Sequence, residues 1–537
     1  MGRPLDLLLR GGLLVDGSGA PAREADVAVA DGRIAVLAPG VPAVAAEVLD
    51  VSGRVVAPGF IDVHTHSDAL AAPLDRGPGP APELLLAPLL QGVTTEICGN
   101  CGTSLFPSLP KRLPALADHL RVTFGIGPVR PAEDFDAFAA GQDPALRHNH
   151  IASLVGHGTL RAGVMGFADR APRPDELDAM CALLDRALAQ GAAGLSTGLI
   201  YPPGTYAATD EIVALASVAA RHGKPYVTHL RDEMAQVETA LEEALEIAAR
   251  SGAALQVSHH KTAGRHAWGA TLRTLPRLER ARAEGVDVLC DVYPYTAGST
   301  VLHAMLPPWA SEGGIGALLE RLRRGDVRDR IRADIATGVA GWENTVGNGG
   351  WDLITVASAR TRPAAEGRRI ADLAAESGVA PVDYVCDLLL AERGEVTIIS
   401  HSMREDDVRR VLAGPLSMIG SDGVPKPGRP HPRWAGSFAR VLGHYARDER
   451  LLPLERAVHK MSGLPARRFG LAGRGVVRDG AVADLVVFDP GAVRDRATFE
   501  RPLMAPEGIC TVVVAGRVAV RDGSATAARA GEVVRVR

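Results

Sequence analysis

The chain has 537 residues, 46% of them hydrophobic and 23% charged, with a formal net charge of -4 at pH 7. That length accommodates a large barrel with additions or two to three domains, and the apolar fraction is ample for a sizeable core. So small a net charge leaves no electrostatic footprint for nucleic acid or an anionic membrane, and no uncharged stretch is long enough to span a bilayer.

Residues 5 to about 57 read as short strands and turns, with Asp31-Gly32 between alternating apolar positions as a hairpin signal. The far C-terminus has the same texture in Ala483–Asp489 and Thr511–Val520. The two ends are therefore expected to pair into one small β domain (1–57 with 471–537), leaving 58–470 as a second. The apolar run Val55–Val63, bounded by Pro58-Gly59 at its start, reads as a buried strand and is followed directly by His64-Thr65-His66. From about 58 to 305, strand-like runs alternate with helical ones. Asp175–Gln190 and Gln236–Arg250 carry apolar residues at helical spacing, and the second is followed by Gly252. Such alternation predicts a parallel sheet, open or closed. Residues 306–395 break the rhythm and read as an insertion between late strands, after which Val396–Ser400 is expected to resume the main pattern.

Strand alternation points His64 and His66 to one side, where both imidazoles can meet one metal ion. Four more groups each follow a short apolar run: Cys101 in Gly99-Asn100-Cys101-Gly102, His229 in Val227-Thr228-His229, His259 in Val257-Ser258-His259, and Asp422 in Gly420-Ser421-Asp422-Gly423. One group per strand end is how a barrel builds a metal site, although any one of these histidines alone is more often a structural core group. Imidazoles and a thiolate suit zinc, with Cys101, His229 and His259 as three ligands and His64 and His66 as a second, weaker position that Cys101 could bridge. Asp422 is placed to take a proton from water. His157, after Val155-Gly156, admits either a pocket-lining or a structural role. Only five of the 59 basic residues are lysines, which makes Lys261, beside His259, conspicuous. The six cysteines do not form a secreted disulfide framework, and Met1–Asp6 lacks a signal-peptide pattern, so a cytoplasmic protein is expected.

With these motifs stand Gly59–His66, Gln91–Thr95, Gly194–Pro203, Thr228–Glu233, Asp291–Tyr295 and Gly298-Ser299-Thr300. Together they resemble the N-acyl-D-amino-acid deacylase (D-aminoacylase) family of the amidohydrolase superfamily over nearly the whole chain. The resemblance implies a (β/α)8 barrel, a small β-sandwich built from both chain ends, and an inserted segment near the site. It implies zinc held tightly by Cys101, His229 and His259, a second ion at His64 and His66, and Asp422 as general base and then acid. It also implies a substrate α-carboxylate held by Lys261, Tyr293, Ser299 and Arg433, with Tyr201 nearby. Relatives that prefer acidic D-residues carry an arginine shortly after the Gly-Ser-Thr motif. Here Val301–Trp309 contains no Arg or Lys, so a neutral or hydrophobic side chain is expected, with His303 as the exception in an apolar stretch. The extra residues of the Gly77-Pro78-Gly79-Pro80 loop are expected near the barrel mouth. The expected partner is a small N-acyl-D-amino acid alone. A cyclic amidase of the hydantoinase or dihydroorotase type would want a lysine near Gly194–Thr197, and none is there. A metal-free scaffold would have lost some of the six groups, whereas all are present. Dipeptide cleavage at a C-terminal D-residue stays open.

Overall fold

The computed structural model describes residues 5–40, 45–72, 80–124 and 129–537, which leaves most of the Gly77–Pro80 loop outside the described residues. Eight parallel strands form the centre: β1 (Phe60–Asp62), β2 (Val93–Cys98), β3 in two pieces (His150–Ser153 and Val155–Gly156), β4 (Leu195–Gly198), β5 (Tyr226–His229), β6 (Leu255–Val257), β7 (Val288–Val292) and β8 (Ser417–Ile419). Each pairs with its neighbour in chain order, from β1 through β8. The ring closes where the Asp422 N–H donates to the His64 carbonyl (2.8 Å) and the His66 N–H to the Gly423 carbonyl (2.9 Å). This is a (β/α)8 barrel. Its strands are buried along their whole length, which is why they read as continuous apolar runs. The helices expected around 175–190 and 236–250 are Pro174–Gln190 and Val237–Ser251, each ended by a glycine in the left-handed region, Gly191 and Gly252.

Both chain ends share one nine-stranded sheet. Val55–Pro58 is its seam, pairing antiparallel with Leu485–Phe488 and parallel with Leu13 and Leu14. Leu7, Leu9, Val27, Val56, Leu485 and Val513 belong to its separate apolar core. Asp31 and Gly32 both have positive φ, as a two-residue hairpin turn between Arg23–Ala30 and Arg33–Ala38 requires.

The run Val55–Val63 divides at the Pro58-Gly59 boundary into Val55–Pro58 and Phe60–Asp62, and the Gly59 N–H donates to the Asp484 carbonyl (2.8 Å). A Cβ at Gly59 would lie 2.3 Å from Thr94 Oγ1, so only glycine lets the chain cross from the terminal sheet into the barrel. One expectation is corrected: Val396–Ser400 is not a barrel strand. It is the middle strand of a three-stranded antiparallel sheet with Gly298–Val301 and Ile354–Ala359, between β7 and β8. This inserted layer has a core of its own, including Leu302, Leu318, Val356, Val385 and Ile398. A buried β-branched run reads identically in either sheet, so periodicity alone assigns it to neither. No helix among the described residues is long and apolar enough to cross a membrane.

Candidate metal centre and active site

His64 and His66 follow β1, Cys101 follows β2, His229 ends β5, His259 follows β6 and Asp422 follows β8. All lie at the C-terminal mouth of the barrel. Three of them hold left-handed backbone: Cys101 (φ 49°), His259 (φ 34°) and Asp422 (φ 49°). Each such non-glycine conformation costs ~1–3 kcal/mol and persists only where its surroundings enforce it. Around Cys101 the enforcement is visible. A Cβ at Gly102 would lie 2.7 Å from the Gly198 nitrogen, and one at Gly198 would lie 2.1 Å from the Cys101 carbonyl. Ser196 Oγ ties the same loop by accepting the Gly102 N–H (3.1 Å) and donating to the Gly99 carbonyl (2.5 Å).

These turns bring the donor atoms together. Cys101 Sγ lies 3.3 Å from His64 Nε2 and 3.4 Å from His259 Nε2. Asp422 Oδ1 lies 3.4 Å from His64 Nε2 and 3.2 Å from His66 Nε2. His64, Cys101, His259 and Asp422 form one compact buried group, while His229, Glu233 and His259 form a second, with His259 shared. Burial alone would raise the Cys101 thiol, but the adjacent His64 and His259 bring it well below the ordinary thiol range. Burial would likewise raise Asp422, but Arg433, His64 and His259 hold it well below the usual carboxylate range. A thiolate, a carboxylate and several imidazoles therefore face one point. His229 is 4% exposed, and its Nδ1 has no hydrogen-bond partner among the described residues. A buried imidazole with no hydrogen-bond partner on Nδ1, and with a thiolate and the Glu233 carboxylate (3.3 Å from Nε2) around it, fits ligation of a borderline-soft transition metal.

Lys261, Tyr293, Ser299 and Tyr201 line the adjoining cavity of about 130 Å3, together with apolar Ile200, Val301, Met305 and Val424. His303 also lines it, and burial lowers its pKa to about 3, so it adds no charge near neutral pH. Tyr201 OH is 2.9 Å from Thr300 Oγ1, and its ring lies 5.2 Å from that of His229.

Two of the expected site residues lie outside the cavity's lining. Arg433 is fully buried and does not line the cavity: Nη1 is 2.8 Å from Asp422 Oδ2, Nη2 donates to the Ser299 carbonyl (3.2 Å), and the guanidinium stacks on Tyr293. Its charge faces Asp422. His157 points away from the cavity's lining, where Glu211 engages its Nε2 (2.8 Å) and also pairs with Arg161 (2.5 Å). Glu211 lies on the neighbouring helix, Thr209–Arg221.

Two carboxylates escaped the motif reading. Asp291 Oδ1 lies 3.3 Å from His64 Nδ1 and accepts the His259 N–H (2.8 Å), while its Oδ2 accepts from Gln256 (2.8 Å). Glu233 contacts His229, His259 and Lys261. Their acidity within Asp291–Tyr295 and Thr228–Glu233 was the sole available signal.

The model of the "Amidohydrolase family" matches residues 47–520. The chain belongs to the amidohydrolase family. A D-aminoacylase of Alcaligenes xylosoxydans xylosoxydans is 42% identical over 532 residues, covering 99% of this chain and 98% of that protein. This places the chain in the D-aminoacylase branch. A D-aminoacylase structure concerned with a binuclear metal centre superposes with a TM-score of 0.82 at 39% identity, covering 99% of each chain. An N-acyl-D-glutamate deacylase of Bordetella bronchiseptica, complexed with zinc and a phosphonate mimic of the tetrahedral intermediate, superposes with a TM-score of 0.81 at 37% identity, covering 99% of this chain and 100% of that one.

Proposed function

We propose that this chain hydrolyses N-acyl-D-amino acids with neutral or hydrophobic side chains, giving a carboxylate and a free D-amino acid. One observation carries the reading: the buried Cys101–His64–His259–Asp422 group opens onto the same small cavity as Lys261 and Tyr293. A reactive centre and a fixed cation thus stand side by side, as an acyl amide one atom away from a carboxylate requires. Cys101, His229 and His259 would hold zinc tightly, with His64 and His66 at a weaker second position. Zinc supplies Lewis acidity there, polarising an amide carbonyl and making water a stronger acid.

The chain's own groups divide the remaining work. Lys261 Nζ, with Tyr293 and Ser299 beside it, receives the α-carboxylate, which orients the acyl carbonyl before reaction. Asp422 Oδ2 is held by Arg433, so Oδ1, facing His64 and His66, is the atom that accepts the proton of the attacking water. The same oxygen returns that proton to the amide nitrogen as the C–N bond breaks, so the amine leaves neutral. The apolar lining formed by Ile200, Val301, Met305 and Val424 favours a neutral side chain. The unpaired cysteines among the described residues fit a reducing bacterial cytoplasm. Asp422→Asn tests the base: turnover of N-acetyl-D-leucine is expected to fall ~10²–10⁴-fold with zinc content unchanged, and wild-type turnover would remove Asp422 from the mechanism.

A further inference from the structure

Glu233 touches both halves of the site, and we infer that it is the positioning residue that sets the His259 ring for metal ligation and the Lys261 ammonium for the substrate carboxylate. The second half of this inference rests on the hydrolase reading; the first does not.

His259 Nε2 faces Cys101 Sγ at 3.4 Å, so Nε2 is the nitrogen turned toward the cluster and must keep its lone pair to ligate. The ring proton then resides on Nδ1. Two groups approach Nδ1: Glu233 Oε1 at 3.0 Å and Lys261 Nζ at 2.8 Å. An ammonium has no lone pair, so Glu233 is the acceptor that fixes this tautomer, and Lys261 Nζ donates to Glu233 Oε2 and to the His259 carbonyl (3.2 Å) rather than to Nδ1. The other oxygen, Oε2, lies 2.5 Å from Lys261 Nζ and 3.3 Å from His229 Nε2. The residue is 3% exposed, so water does not dilute these contacts.

Glu233 is itself held from two directions. Its N–H donates to Glu343 Oε2 (2.6 Å) and its carbonyl accepts the Ala263 N–H (2.8 Å). Glu343 belongs to the inserted layer between β7 and β8, so barrel and insertion both hold the backbone from which the carboxylate extends. One side chain therefore registers the metal ligands against the cation that anchors the substrate.

The test uses Glu233→Gln, which keeps the shape but offers Lys261 no negative charge, with Glu233→Asp as its partner. The probe is cobalt(II) added alone to metal-stripped full-length protein, read by the thiolate-to-cobalt charge-transfer band. Glu233→Gln is expected to keep that band at saturation while cobalt affinity falls ~10–100-fold. On zinc-loaded protein, KM for N-acetyl-D-leucine is expected to rise ~10-fold, and Glu233→Asp to recover part of both losses. Cobalt affinity and KM both within about twofold of wild type would overturn the inference. So would loss of a bound metal equivalent with a changed band, which would make Glu233 a ligand. If Glu233→Gln fails to unfold cooperatively, Glu233→Asp carries the test in the same direction. Wild-type protein that turned over no D-substrate would sink the hydrolase reading and leave the cobalt result standing.

Discussion

Replacing Arg433 by methionine separates two roles that the residue could have. The guanidinium is fully buried, 2.8 Å from Asp422 Oδ2, and stacked 4.6 Å from the Tyr293 ring centre. At an effective dielectric of about 20, charges ~4 Å apart attract by ~4 kcal/mol, in line with the ~3–5 kcal/mol lost when one partner of a buried pair is removed. Unfolding entropy of ~2.1 cal/mol/K per residue over a chain this long is ~1.1 kcal/mol/K, so Tm is expected to fall ~3–4 °C if unfolding is cooperative. The larger effect falls on catalysis. An Asp422 released from Arg433 and displaced by ~1 Å would lower kcat ~10²-fold. KM for N-acetyl-D-leucine is expected to stay within about threefold, because Arg433 does not reach the cavity. If instead Arg433 held the substrate carboxylate, losing a charged hydrogen bond worth ~1.5–3 kcal/mol would raise KM ~10–100-fold. Steady-state kinetics on the purified, zinc-loaded variant distinguish the two, and a KM-only effect would refute the argument.

Burial lowers the Lys426 pKa to about 7, and among the described residues its ammonium has one acceptor contact, to the Val122 carbonyl at 3.3 Å. The unfolded group keeps its ordinary value of 10.5, so the unfolded chain binds more protons between pH 7 and 10.5, and stability owed to this group rises across that window. Lys426→Met is therefore expected to stabilise the protein by up to ~5 kcal/mol at or below pH 7, an advantage that fades to nothing above pH 10.5. Thermal midpoints of both proteins from pH 6 to 11 check this, and a pH-independent difference would contradict it. Gly198→Ala would push a methyl into the Cys101 carbonyl, 2.1 Å away. A destabilisation of ~1–3 kcal/mol is expected, with zinc affinity reduced because the Cys101 turn must move; unchanged metal content and Tm would show that the turn is not fixed by packing.

Much of the site was legible because a barrel presents one residue at the end of each short apolar run. His64, Cys101, His229, His259 and Asp422 could be picked out without any knowledge of distance. Asp291 and Glu233 were not legible as partners, since nothing local shows that a carboxylate after β7 reaches His64, or that one after β5 reaches His259 and Lys261. Arg433 was noticed as a cation, but its target, Asp422, lies eleven positions earlier across a turn whose course the sequence leaves open. The crossing at Gly59 was legible as the Pro58-Gly59 boundary, but its cause was not, because the residue that demands glycine there is Thr94, on the neighbouring strand. Val396–Ser400 was misassigned because burial makes inserted and barrel strands alike in composition.

The most direct test is hydrolysis of paired D- and L-isomers of N-acetyl-methionine, -leucine, -phenylalanine and -glutamate by protein of measured zinc content. The account predicts release of acetate and free amino acid from the neutral D-isomers, little from D-glutamate and none from the L-isomers. Zinc-bound protein that left every D-substrate intact would contradict it.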